Sequence, residues 1–96
     1  MKQYVIIAQD GKDEGALERR KNIRPVHLVG VKKLNENNNF VIGGAMLDDE
    51  GNMRGSIMIV QFETQEEFQH WYDNEPYNTS GVWKEIEVRP FRVADV

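Results

Sequence analysis

Phe40-Val41-Ile42-Gly43-Gly44-Ala45-Met46-Leu47, then Asp48-Asp49-Glu50-Gly51-Asn52, then Ser56-Ile57-Met58-Ile59-Val60-Gln61-Phe62 reads as two strands joined by a short loop. β-Branched and other apolar residues fill both runs, while acidic residues, Gly and Asn fill the gap, which is hairpin chemistry. Both runs are apolar at even and odd positions alike, so each strand calls for cover on two faces. The acidic loop is too short for an EF-hand, whose ligands spread over about twelve residues and end in Glu. It reads as a solvated turn.

Outward from this hairpin, Lys2 to Gln9 contains Tyr4-Val5-Ile6-Ile7-Ala8, another strand apolar on both faces. Asp10-Gly11-Lys12-Asp13 is a turn, with Asp13 placed to cap a helix. Glu14 to about Asn35, rich in Ala, Leu, Glu, Arg and Lys, predicts that helix. Pro25 lies inside it and predicts a kink or restart near Ile23 and Arg24. Asn35 to Asn39 is a loop. After the hairpin, Thr64-Gln65-Glu66-Glu67 has the form of a capping box. The helix it opens carries Phe68, Trp71 and Tyr72 on one face, with His70 off that stripe. Asp73 to Asn78 breaks the helix, and Trp83 to Arg92 is a fourth strand with Ile86 and Val88 on one face.

The order strand, helix, strand, strand, helix, strand predicts an α+β, ferredoxin-like fold in one domain, residues 1–96: a four-stranded antiparallel sheet with both helices on one face. Two helices leave the other apolar face bare. At about 25 cal/mol per Å² such a face is costly to keep in water. The strands therefore predict a homodimer packed through the open sheet face, most simply by a two-fold axis.

Composition removes several function classes. There is no cysteine, which excludes disulfides and thiol catalysis. A net charge of -4 and a pI near 5.1 point away from nucleic acid, whose binding rests on clustered Lys and Arg. The basic runs Arg19-Arg20-Lys21 and Lys32-Lys33 are flanked by acids and read as solvated helix faces. No stretch approaches the roughly 20 apolar residues of a membrane span. The expectation is a soluble cytoplasmic protein with neither membrane nor nucleic-acid partner. Only two histidines exist, and they face apart, so no metal site and no cofactor is expected.

Chemistry gathers on the first helix, at Ile23-Arg24-Pro25-Val26-His27-Leu28. At about 100° per residue, Arg20, Arg24, His27 and Val31 fall within roughly 60° of one another, beside Ala16, Ile23 and Leu34. Polar groups thus sit inside the apolar sector, where burial without a partner is costly. One reading is a core histidine with a backbone partner and arginines reaching out along apolar stems. The other makes His27 a proton donor and acceptor, with Arg24 or Arg20 holding an anionic group of the substrate. Gly43-Gly44 leaves room for a ligand, or for close packing of the strand. Asp73 or Glu75, after the second helix, is placed to orient the imidazole, or lies on the surface.

The residues Tyr4 to Ala8, Arg24-Pro25-x-His27-Leu28, Gly43 to Ala45, Gly55-Ser56, Glu75-Pro76-Tyr77 and Val88-x-Pro90-Phe91 resemble the YciI-like (YCII domain) family over essentially the full length. The resemblance implies a ferredoxin-like fold, dimers of the dimeric α/β-barrel type, and an active-site pocket with a His–Asp pair. His27 matches that histidine. The family's Asp falls on Glu75, a departure that adds a methylene and leaves Asp73 as the other candidate. Tyr77 joins Arg24, Arg20, Gly43 and Gly44 as substrate-binding candidates. Related dimeric α/β-barrel proteins include lactone isomerases, elimination enzymes and cofactor-free oxygenases. The expected function is acid–base catalysis of elimination or isomerisation on a small, anionic or aromatic molecule. A non-catalytic module of the same fold, for small-molecule binding or assembly, is the alternative.

Overall fold

The computed structural model describes residues 1–96 and orders them as β1 (Lys2–Asp10), α1 (Ala16–Glu36), β2 (Phe40–Leu47), β3 (Met53–Phe62), α2 (Gln65–Asn74), α3 (Pro76–Thr79) and β4 (Trp83–Phe91). The strands form one antiparallel sheet in the order β2-β3-β1-β4, which is the predicted ferredoxin-like arrangement. Alternation along each strand decides which side chains meet the helices. Tyr4, Ile6, Ala8 and Asp10 of β1 are buried, as are Ser56, Met58, Val60 and Phe62 of β3. The register pairs Tyr4 with Val60, Ile6 with Met58 and Ala8 with Ser56. Leu34 of α1 and Phe68 of α2 close this core, and Phe68 stacks on Tyr4 with ring centroids 4.1 Å apart.

The opposite face presents Val5 and Ile7 of β1, Ile57 and Ile59 of β3, and Ile42 of β2, side by side in the register. Ile57 is 40% exposed and Ile42 62%. Charges begin at β4, where Glu87 and Arg89 pair with Ile7 and Val5. Two slips in the ladder shape the helix side. Between Phe40 and Ile42 the β2 register shifts, so that Phe40 pairs with Val60 and Gly43 with Met58, both on the buried face. Between Gln9 and Asp10 the β1 register shifts as well, and Asp10 pairs with Trp83.

Three local expectations change. α1 begins at Ala16, not Glu14, and its cap residue Gly15 offers no side-chain bond. Asp13 instead accepts two hydrogen bonds from Arg19, at 3.2 and 2.6 Å. α1 runs through Pro25 without a break. The ring leaves the Lys21 carbonyl without a partner, but Lys21 and Pro25 are both exposed, so water reaches that carbonyl. The buried stripe Ala16, Arg20, His27 and Leu34 holds the helix on both sides of the proline. The break after α2 contains a one-turn helix, α3, with Pro76 in its first turn.

Elsewhere the local chemistry is as read. Thr64 caps α2, its Oγ1 accepting the Glu67 N–H at 3.2 Å. Asp48 organises the hairpin loop by accepting the N–H groups of Glu50 and Asn52. Hydrogen bonding from Arg54, chiefly, holds the Asp48 carboxyl below the usual carboxylate range. No helix is long and apolar enough to cross a membrane.

Candidate functional site

One helical face of α1 carries Arg20, Arg24 and His27 toward β2 and β3. Arg20 is 3% exposed and His27 8%, while Arg24 lies open at the rim. Together with Leu28, Val31, Phe40, Gly43, Gly44, Ala45, Ser56, Met58 and Tyr77 they line a cavity of about 90 Å³. This is well under the roughly 300–1,000 Å³ of sites for drug-sized ligands. It suits a compound of few atoms.

Glu75 reaches His27 from the far end of the chain. It terminates α2 and caps α3 in an extended conformation, φ -63° and ψ 124°. Its Oε1 accepts the Tyr77 N–H at 3.0 Å and lies 2.6 Å from His27 Nδ1. The extra methylene of Glu over Asp is therefore absorbed by the capping turn, which brings the carboxylate back over its own helix. A carboxylate only accepts, so the pattern puts a hydrogen on His27 Nδ1 and leaves Nε2 with the lone pair in the neutral ring. Nε2 has no partner in the chain and is accessible. Tyr77 holds the ring flat, stacked at 3.9 Å and 14°, and Trp83 meets its edge.

Asp73 is not the partner. It is exposed on α2 and accepts a bond from Gln69 Nε2 at 2.8 Å, one turn back. His70 is exposed too.

The two arginines divide. Arg20 Nη1 donates to both oxygens of Asp10, at 3.0 and 3.0 Å, and Nη2 donates to Ser56 Oγ at 2.8 Å. Its guanidinium also lies over the Tyr77 ring, 4.7 Å from the centroid. Its charge is thus already balanced inside the protein. Arg24 has no ion pair and no side-chain hydrogen bond, which leaves it as the cation at the mouth.

The other candidates have distinct places. A Cβ on Gly43 would lie 3.1 Å from the Ile57 carbonyl oxygen, 3.1 Å from Phe40 and 3.2 Å from Met58, so the glycine lets these residues pack closely around the strand at the cavity wall. A Cβ on Gly44 would meet nothing within 4 Å. Tyr77 is fully buried, and burial, opposed by Arg20 and Arg24, pushes its phenol above the usual range. It stays protonated and forms a wall rather than a base. Sequence reasoning missed Asp10, Ser56 and Trp83 as members of this site. The signal was present in the alternation: Asp10 continues the face Tyr4, Ile6, Ala8, and Ser56 opens the face Met58, Val60, Phe62. Each is a polar residue on a strand face that is otherwise apolar.

The model of the YCII-related domain matches residues 2–92. Protein YciI of Escherichia coli O6:H1 is 36% identical over 95 residues, which take in 93% of this chain and 95% of that protein. An uncharacterized protein of Haemophilus influenzae is 35% identical over the same shares. Among solved structures, the 5-chloro-2-hydroxyhydroquinone dehydrochlorinase of Burkholderia phenoliruptrix, in complex with 2,5-dihydroxybenzoquinone, aligns with a TM-score of 0.80 over 96% of this chain and 95% of that one, at 23% identity. A dimeric ferredoxin-like protein from Jannaschia aligns with a TM-score of 0.59 over 97% and 100%, at 12% identity. At these identities the two structures share the fold.

Proposed function

The chain belongs to the YCII-related domain family, and from that membership we propose that it is an acid–base enzyme acting on a small anionic or aromatic molecule by elimination or isomerisation. The proposal rests on the 2.6 Å contact between His27 Nδ1 and Glu75 Oε1 at the cavity wall. His27 Nε2 takes a proton from the substrate, and Glu75 fixes the tautomer and stabilises the imidazolium that forms. Arg24 holds an anionic group at the mouth. Proton transfer of this kind asks for no redox cofactor. A purely structural or binding role would not need an imidazole held against a carboxylate with its other nitrogen open. The dehydrochlorinase of the same fold supports the reaction class, since loss of a proton and a chloride is an elimination. The quinone it binds supports the substrate class. The absence of cysteine suits a cytoplasmic setting.

A thermal-shift screen and titration calorimetry with small carboxylates, lactones, phenols and 2,5-dihydroxybenzoquinone test the ligand class. At least one should bind, and Arg24→Ala should weaken it by about tenfold or more, the loss of one charge-assisted contact. Equal binding by the variant would remove the anion role of Arg24. A panel without any hit would remove the class.

The same proposal includes a homodimer through the open sheet face, where Val5, Ile7, Ile57 and Ile59 form the centre of an apolar surface. Sedimentation velocity should show a dimer at micromolar concentration, and Ile57→Asp should convert it to monomer by placing a charge at that centre. A wild-type monomer at micromolar concentration would overturn this part.

A further inference from the structure

A serine hydroxyl has two lone pairs and one hydrogen. Both lone pairs of Ser56 are taken, by Arg20 Nη2 at 2.8 Å and by Trp83 Nε1 at 3.2 Å. Both partners are donors only, so neither accepts the serine hydrogen. No other group of the chain accepts it. Yet Ser56 is 2% exposed and lines the same cavity as His27. A buried polar hydrogen without an acceptor is destabilising, and this one borders an open space.

From this count we infer that Ser56 is a ligand-contacting residue whose hydroxyl donates to an oxygen of the molecule in the cavity. The inference rests on the acid–base reading of His27 and narrows its substrate. With both lone pairs engaged, Ser56 does not accept from a ligand O–H or N–H. It selects an oxygen that itself accepts: a ketone or quinone carbonyl, an enolate or a phenolate. Asp10 sets the geometry, because its two bonds to Arg20 Nη1 turn Nη2 toward Ser56.

The chemistry this serves is enolisation. His27 Nε2 takes a proton from the carbon beside a carbonyl. The C–H electron pair becomes a C–C π bond, and the carbonyl π pair moves onto oxygen. The hydrogen bond from Ser56 strengthens as that oxygen gains charge, and the Arg20 guanidinium behind it polarises the O–H. The proton stays on His27 until it is returned at another atom or a leaving group departs.

The test titrates 2,5-dihydroxybenzoquinone into wild type, Ser56→Ala and Trp83→Phe, reading affinity and the visible absorption of the bound compound. Ser56→Ala should lose about tenfold or more in affinity, the worth of a hydrogen bond to a charged oxygen, and the band should move toward its position in water. Trp83→Phe removes the same Trp–Ser bond but keeps the O–H, so it should lose far less and hold the band. If the two variants weaken binding alike, Ser56 is only a packing link and the inference is overturned. Wild-type affinity in Ser56→Ala overturns it too. If wild type does not bind the compound, this inference falls while the ligand class is decided by the rest of the panel, and failure confined to Ser56→Ala leaves the His27 reading standing. Ser56→Cys, which fills similar space with a weak donor, takes the place of Ser56→Ala should that variant not fold.

Discussion

His27→Ala should lower turnover by roughly 10²–10⁴-fold, the usual contribution of a positioned acid–base group, with the fold retained. The substitution removes the only imidazole at the cavity, one ring nitrogen of which is held by Glu75 while the other stays open. Tyr77 stays protonated, and Glu75 lies 1% exposed behind the imidazole, so neither replaces it as base. The substrate's anionic group still meets Arg24, so the loss should fall on kcat more than on KM. Some stability is lost as well. Glu75 keeps the Tyr77 N–H but loses His27, and an under-bonded buried carboxylate costs about 1–3 kcal/mol. Denaturant unfolding of the variant separates that loss from the catalytic one. Glu75→Gln should be milder in kcat/KM, because the amide oxygen still accepts from Nδ1–H and Tyr77 N–H while the charge opposite the imidazolium disappears. Unchanged turnover in His27→Ala would place the proton transfer elsewhere.

What the sequence made legible was periodic. Alternation in β1 and β3, the hairpin chemistry of Asp48 to Asn52 and the Thr64 cap specify the fold without long-range information. Helical phase likewise put Arg20, Arg24 and His27 on one inward face. Phase does not say which arginine is free. That depends on Asp10, at the end of a strand whose register slips just before it. The choice between Asp73 and Glu75 was closed to pattern reading for a similar reason. Asp73 lies in the last turn of α2 and Glu75 is the residue just after it, and only the one-turn helix opened by Pro76 turns Glu75 inward. His27 and Glu75 are 48 residues apart and Arg20 and Ser56 are 36 apart, so these contacts arise from packing rather than from local propensity. The slip at Val41 is also invisible to a two-residue period, yet it brings Phe40 and Gly43 to the same face and so shapes the cavity wall.

Asp10→Ala should have the largest effect on stability, a loss of about 3–5 kcal/mol, the range for removing one partner of a buried ion pair. Side-chain exposure is 3% for Arg20 and 2% for Asp10, so water does not take over the lost bonds. The variant leaves a guanidinium whose Nε already lacks a partner with Ser56 as its sole remaining hydrogen-bond acceptor. Against the roughly 5–15 kcal/mol that hold a typical domain together, that loss is a large share. Adding Arg20→Met to Asp10→Ala should recover much of it, because an apolar side chain of similar length removes the unpaired charge along with its desolvation cost. Urea unfolding of the two single variants and the double variant gives the coupling directly. A cost below about 1 kcal/mol for Asp10→Ala would match an exposed pair and contradict the burial seen here. The double variant separates stability from function at the same time. It should regain stability yet bind 2,5-dihydroxybenzoquinone poorly, because Arg20 no longer orients Ser56 toward the ligand.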